Sequence, residues 1–323
     1  MTQDLNSMVE KLSKEEPASL QKKRTLALML RKRLPKLRGQ DKWISEWEEL
    51  PLVVDKELRA PTSSVEVLPL LEAVNHYPEL LQENLMEKAV NWQDNQLNAM
   101  HIALLDAGEF VYVPDNSHLD TPLNLHLETR GKNPHQLIIV GAGATVHIKE
   151  SSIFNSRNPL YYATEILLGT GARVFFEQEG NYQSTTVNHV VHAYQARSSQ
   201  LNIKVKLPTV DFVNSSFYSF LDGPDTNWHG EIQAFARANQ EVQVKATADG
   251  YGNDTKGQLQ ELGWEESDGK VEFGSFASAN GEPLTLEQTR IVGKNGSIKV
   301  DDHDEVADFK DKDDFFNHFQ NEK

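Results

Sequence analysis

"LIIVGAGATVHI", residues 137–148, decides how this chain folds. Four apolar residues run into Gly141 and Gly143, as they would where a strand brings a tight glycine turn against a pyrophosphate. The dinucleotide fingerprint needs a third glycine, and Val146 stands in its place. That fingerprint also occurs once in a domain and opens a helix. Here the pattern returns at residues 166–176 as "ILLGTGARVFF", which opens a strand. Gly171 matches Gly143, and "SSQLNIKV" repeats the form from Ser198 after a nearly equal step. Later copies of a small-residue corner before an alternating strand start at Asn239, Asp268 and Asn295. The step from Ser198 to Asn239 is longer than the others and reads as a break in register.

A recurrence of about 28 residues with small residues at the corners is the mark of a β-solenoid. Each coil lays short strands on the coil before it, and alternate side chains fill a narrow interior. The sequence therefore predicts a mainly β protein, a right-handed β-helix. Gly141, Gly143, Gly169 and Gly171 are its structural corners, where glycine reaches dihedrals that bulkier residues adopt only with strain.

The pattern sets three segments. Residues 1–104 read as helical: Leu5, Met8, Val9 and Leu12 fall at helical spacing, as do Leu26, Met29 and Leu30, with Pro35 ending that second helix. Trp43 and Trp47 would share a helix face, and the Leu- and Glu-rich stretch from Ser64 is broken by Pro69 and Pro78. From Gly108 onward "GEFVYVPDNSHLDTPLNLHLETR" alternates apolar and polar residues, which is strand patterning, and the solenoid core is expected over 105–303. Residues 304–323 form a short acidic tail in which Phe309, Phe315, Phe316 and Phe319 could make one apolar face.

Composition narrows the chemistry. The chain of 323 residues has no cysteine, which removes disulfides, thiolate metal sites and a cysteine nucleophile. Its net charge of −16 argues against a nucleic-acid partner. The N-terminal residues lack the apolar core of a signal peptide, and no window approaches a membrane span, so a cytoplasmic protein with no membrane partner is the expectation. A basic run breaks the acidic balance: Lys22, Lys23, Arg24, Arg31, Lys32, Arg33, Lys36, Arg38 and Lys42. It reads as a solvated helix face, or as a docking surface for an acidic partner.

Single residues point to no catalytic constellation. His189 and His192, three apart in a strand, face opposite sides and cannot converge on a metal. His147 alternates with Val146 and Ile148 and is expected outside, and "GPDTNWHG" at 223–230 reads as a corner. Phosphate-loop, zinc-protease and serine-elbow motifs do not occur.

The organisation resembles the SufB/SufD family of iron–sulfur cluster assembly proteins, the SufD branch in particular. Gly108, Val111, Tyr112, Val113, Pro114, Leu119, Pro122 and Leu123 match the stretch that leads into the family's β-helix. "HQLIIVGAGATVHIKES", with Glu150 at the acid, and "YYATEILLGTGARVFFEQ" are similar to its coils, and "RLPKLRGQDKWISEW" is similar to its N-terminal motif. The resemblance implies a non-catalytic scaffold. It would pair with a SufB-like subunit through the solenoid ends and bind a SufC-like ATPase through C-terminal helices. A transient cluster would form only in the complex, with no cofactor on the isolated chain. The family's C-terminal segment falls on residues 297–311, where Lys310 or a neighbour stands at the family histidine, and the helical tail is reduced to "DKDDFFNHFQNEK". The candidate pairing edge is "NGSIKVDDHDEV", with Ile298 and Val300 on one face, and capping of that edge by the phenylalanine tail is the alternative. A homodimer, a solenoid interaction module without a cluster role, and a β-helix enzyme acting on polysaccharide are the other readings.

Overall fold

The computed structural model describes residues 4–37, 40, 65–157, 159–279, 285–294, 297–300, 303–305, 309 and 311–320. Trp43 and Trp47 lie outside the described residues. The chain is a parallel β-solenoid of two sheets. The first holds β1 (Glu66–Pro69), β2 (Ala107–Val113), β4 (Pro134–Val140), β6 (Leu160–Leu168), β8 (Thr186–Gln195), β10 (Phe212–Leu221), β12 (Glu241–Gly250) and β14 (Lys270–Phe273) in that order. A further strand, β15 (Phe276–Ala279), also lies on β12. The second sheet holds β3 (Leu123–Thr129), β5 (Thr145–Phe154), β7 (Arg173–Tyr182), β9 (Gln200–Lys206), β11 (Asn227–Ala236), β13 (Lys256–Glu265), β16 (Thr285–Lys294), β17 (Ser297–Val300) and β18 (His303–Glu305).

Successive strands alternate between the two sheets, so each strand pairs with the strand one coil away. In the second sheet Thr145, Arg173, Gln200, Asn227, Lys256 and Thr285 stand in one row at nearly even steps. The long step from Ser198 to Asn239 is therefore no break. Ser198 turns β8 into β9, whereas Asn239 turns β11 into β12 at the opposite corner. The rung that follows Ser198 is Asp225, and the one after that is Asp254. "NGSIKV" is not a coil either, because β17 returns antiparallel to β16.

Inward residues of both sheets meet in one apolar core, including Val111, Ile138, Val146, Phe176, Val213, Ile232 and Leu259. The outer face of the first sheet is covered by α1 (Leu5–Ser13), α2 (Ala18–Leu30), α3 (Leu70–His76), α4 (Pro78–Asn84) and α5 (Gln96–Ala103). Met8, Leu20, Leu85 and Met100 pack there against Phe110, Leu137, Tyr161 and Val190. This is why every residue of β6 is buried: it has a core on each side. The helical reading of the stretch after Ser64 needs one correction. Glu66–Pro69 is a strand, antiparallel to β2, with Val67 buried, and α3 begins only after Pro69. Two valines in alternation favour a strand when a sheet edge is there to receive them.

The outer face of the second sheet is polar over β5, β7 and β9 and apolar toward the ends of β11 and β13. Lys149, Glu177, Lys204 and Glu231 align in one row of alternating charge, with Lys204 2.9 Å from Glu231. Opposite charges on neighbouring strands stabilise one another modestly and suit a solvated face.

Candidate functional site

Three features of the solenoid could carry function: its corners, its interior and its C-terminal end. At one corner Asn116, Gly143, Gly171, Ser198, Asp225 and Asp254 all adopt left-handed backbone, with φ between 56° and 70°. Gly143 N–H donates to the Thr170 carbonyl at 2.8 Å and Gly171 N–H to the Arg197 carbonyl at 2.9 Å. The stack of left-handed residues thus continues the ladder through the turn. Gly141 and Gly169 sit on the same corner for a different reason. A Cβ on Gly141 would lie 2.5 Å from Asp115 N, and one on Gly169 would lie 2.8 Å from Ala142 N. At these positions neighbouring coils approach too closely for a side chain.

The interior holds a polar chain that composition does not reveal. Glu150 on β5 accepts a short hydrogen bond from the Tyr162 hydroxyl and a second, at 3.1 Å, from Gln178 Nε2. Gln178 Oε1 lies 2.7 Å from His189 Nε2, and His189 Nδ1 lies 2.9 Å from Ser215 Oγ. Glu150 and His189 are 3% and 1% exposed. Burial pushes the Glu150 carboxyl up to about 7 against the opposing hydrogen bonds, and it holds the His189 imidazole down at about 3. The chain crosses from β5 to β10 and its members bond to one another, so it works as a structural network.

His192, three residues after His189, points the other way. Its Nδ1 lies 3.1 Å from the Ala89 carbonyl and its Nε2 2.9 Å from Ser216 Oγ, which ties the helical segment to the outer face of the first sheet. A larger tie lies beside it. Glu165 accepts from Met86 N–H at 2.7 Å and Val90 N–H at 2.8 Å, and it lies 3.0 Å from His135 Nε2. His147 is on the polar outer face, 2.9 Å from Glu177. Trp228 enters the core directly after the corner at 223–226. Among the described residues no group of three or more His, Cys, Asp or Glu is placed to hold a metal ion.

At the C-terminal end, within the candidate pairing edge of residues 295–306, β17 is covered by β18 of the same stretch. Ile298 stands between Gly293 of β16 and Glu305 of β18, and Val300 stands between Ile291 and His303. A strand paired on both sides has no free ladder to offer, so the outermost strand of this sheet is the three-residue β18. The tail does not cap the edge either. Phe315, on α6 (Lys312–Gln320), is buried against Phe235, Leu262, Trp264 and Ile291, which lie on the outer face of the second sheet. In the first sheet β14 and β15 are the last described strands. Between the sheets here, buried Glu261 accepts from Gln288 at 3.1 Å and from Arg290 at 3.2 Å, and also from Ser275.

Sequence reasoning missed Tyr162, Gln178 and Glu165, although a signal for the first two was present. Gln178 shares strand parity with Val174 and Phe176, and Tyr162 with Ile166 and Leu168, so polar groups at core parity marked the network.

Fold and site together define a class: a parallel β-solenoid with a helical cover and an interior chain of hydrogen-bonded polar groups from Glu150 to Ser215. No family model matches the sequence. Curated relatives do. The chain is 34% identical over 88 residues to an iron–sulfur cluster assembly SufBD family protein of Pyrococcus horikoshii, covering 26% of this chain and 20% of that protein. It is 25% identical over 142 residues to the iron–sulfur cluster assembly protein SufD of Bacillus subtilis, covering 42% and 32%. A SufBD family protein of Arabidopsis thaliana matches at 28% over 126 residues, covering 36% and 27%. The chain thus matches between a fifth and a third of the length of these relatives. The matches support the SufBD family for this chain.

Proposed function

We propose that the protein is a non-catalytic scaffold subunit in iron–sulfur cluster assembly, acting with a SufB-like subunit and a SufC-like ATPase in the cytoplasm. The observation that carries this reading is the similarity to SufBD relatives of a chain that folds as a parallel solenoid. Two features are consistent with it. No described helix is long and apolar enough to cross a membrane. The chain has no cysteine, so thiolates for a nascent cluster would come from a partner. The cluster is then cargo, held transiently in the complex.

A solenoid end is a natural surface for a second chain, because its last strands present unpaired backbone groups. With β17 covered by β18, the pairing surface moves to β14 and β15 at the end of the first sheet. The testing experiment is anaerobic reconstitution with iron and sulfide. The isolated chain should remain without visible cluster absorption, and the purified complex with a SufB-like subunit should gain it. A stoichiometric cluster on the isolated chain would overturn the reading.

A further inference from the structure

The basic run of the N-terminal segment includes both engaged and outward-facing cations. Those that face the protein are engaged. Arg24 is fully buried, with its guanidinium 2.6 Å from Glu16 and bonded to the carbonyls of Ile102 and Ala103. Lys23 pairs with Glu87 at 2.6 Å and caps the Leu85 carbonyl. Those that face outward are exposed: Lys22, Lys32 and Arg33, none of which pairs with a carboxylate among the described residues.

The same outward face is apolar at its centre. Leu26 and Met29 fall at helical spacing, and the residues that α2 buries are Leu20, Arg24 and Ala27. Leu26 is 37% exposed, Met29 69% and Leu37 43%. Four large hydrophobic side chains are exposed among the described residues, and these three lie close together in the chain, the fourth being Tyr251. Single exposed hydrophobics are ordinary, but a contiguous group is not. Lys22, Leu26 and Met29 follow at intervals of four and three, which aligns them along one face of α2, and exposed Lys32 and Arg33 lie in the 3-10 turn that continues the helix over Arg31–Arg33. That is the shape of a helix–helix seam, with anchors every turn and charged flanks that set orientation.

We infer that the outward face of α2 and the turn after it dock an acidic amphipathic helix of a partner protein. Charge complementarity selects this occupant. The patch is basic on a chain whose net charge is −16, so an extended anionic surface such as a lipid bilayer would meet long-range repulsion from the rest of the molecule. A single acidic helix meets only the local cations. Leu26 and Met29 supply the apolar anchor, and Lys22, Lys32 and Arg33 the flanking charge. This inference stands apart from the scaffold reading and concerns a different face of the molecule.

The test places a photo-crosslinking amino acid at exposed Thr25 in the full chain, in cells that express it, and sequences the attached peptide by mass spectrometry. The expected product is one polypeptide, joined through a segment with an excess of Asp and Glu and apolar residues at intervals of three and four. Its yield should fall by about tenfold or more in Lys32→Glu/Arg33→Glu and in Met29→Asp. Lys22→Glu, on an exposed turn of α2, is the second charge variant should the others melt lower than the parent. An adduct to lipid, to the chain's own residues or to a neutral or basic segment would overturn the inference. So would a yield indifferent to charge reversal, or no adduct at all.

Discussion

Replacing the corner glycines one at a time separates two costs that the solenoid turn combines. Gly171 has φ of +70°, and a Cβ built on it meets nothing within 4 Å. Alanine there should bear only backbone strain, about 1 kcal/mol for an L residue in the left-handed region. Asparagine should cost about half as much, since its side chain tolerates that region, and Asn116 already occupies it two coils earlier. Gly141 is the converse. Its Cβ would sit 2.4 Å from Asp115 Oδ1, 2.5 Å from Asp115 N and 2.8 Å from Pro114 C. Two of those atoms are backbone and cannot move without displacing the previous coil, so Gly141→Ala should cost about 3 kcal/mol, the upper range of overpacking. Urea unfolding followed by circular dichroism reads both as shifts in the midpoint. Equal costs for Gly171→Ala and Gly141→Ala would refute the reasoning, as would Gly171→Asn proving worse than Gly171→Ala.

Other consequences follow from the interior and the tail. Glu150 has a folded-state pKa raised to about 7 from 4.5, so its contribution is fully present below pH 4.5 and is lost as pH rises through 7, by about 3 kcal/mol in all. His189 and His192, held neutral by burial down to about 3 and about 4, work in the opposite sense as pH falls below 6.5. The decisive comparison is therefore between the parent and Glu150→Gln at pH 5 and pH 8: the parent should lose more stability between those values, and identical pH profiles would contradict a raised carboxyl. Phe315→Ala removes the buried anchor of α6, at about 3–5 kcal/mol, more than a nine-residue helix can absorb alone. Hydrogen exchange should then show residues 312–320 unprotected while β11 keeps its protection, and a tail that stays protected would show that Phe315 does not hold it.

How much of this was legible in the sequence depended on how local its cause was. The corners at Gly143 and Gly171 were readable because a left-handed turn demands small residues, and the strands because inward and outward positions alternate. The true row of corners was harder to see. Ser198, Asp225 and Asp254 share one backbone conformation but no side-chain type, so Asn239 on the other corner looked like the next copy. The edge at Ile298 and Val300 was misplaced because strand parity says which face a residue takes and nothing of what pairs beside it. Only the returning β18 shows that β17 is covered. The direction of α2 was hidden for a similar reason. Leu26 and Met29 have the spacing of a core stripe, and buried Arg24, satisfied by Glu16 and two carbonyls, takes the inward place.

The central claim is that this solenoid is a scaffold whose function lies in pairing, and size-exclusion chromatography with light scattering tests it most directly. The chain should be measured alone, with a SufB-like subunit, and with that subunit after proline is introduced at Phe273. The backbone donors of Lys270 and Gly274 point at β12, so that of Phe273, on β14, faces away from it, and losing this donor weakens an edge. The account predicts a complex with the summed mass of the two chains and a loss of that complex in the proline variant. Two separate peaks for the unmodified chains, at their individual masses, would contradict it.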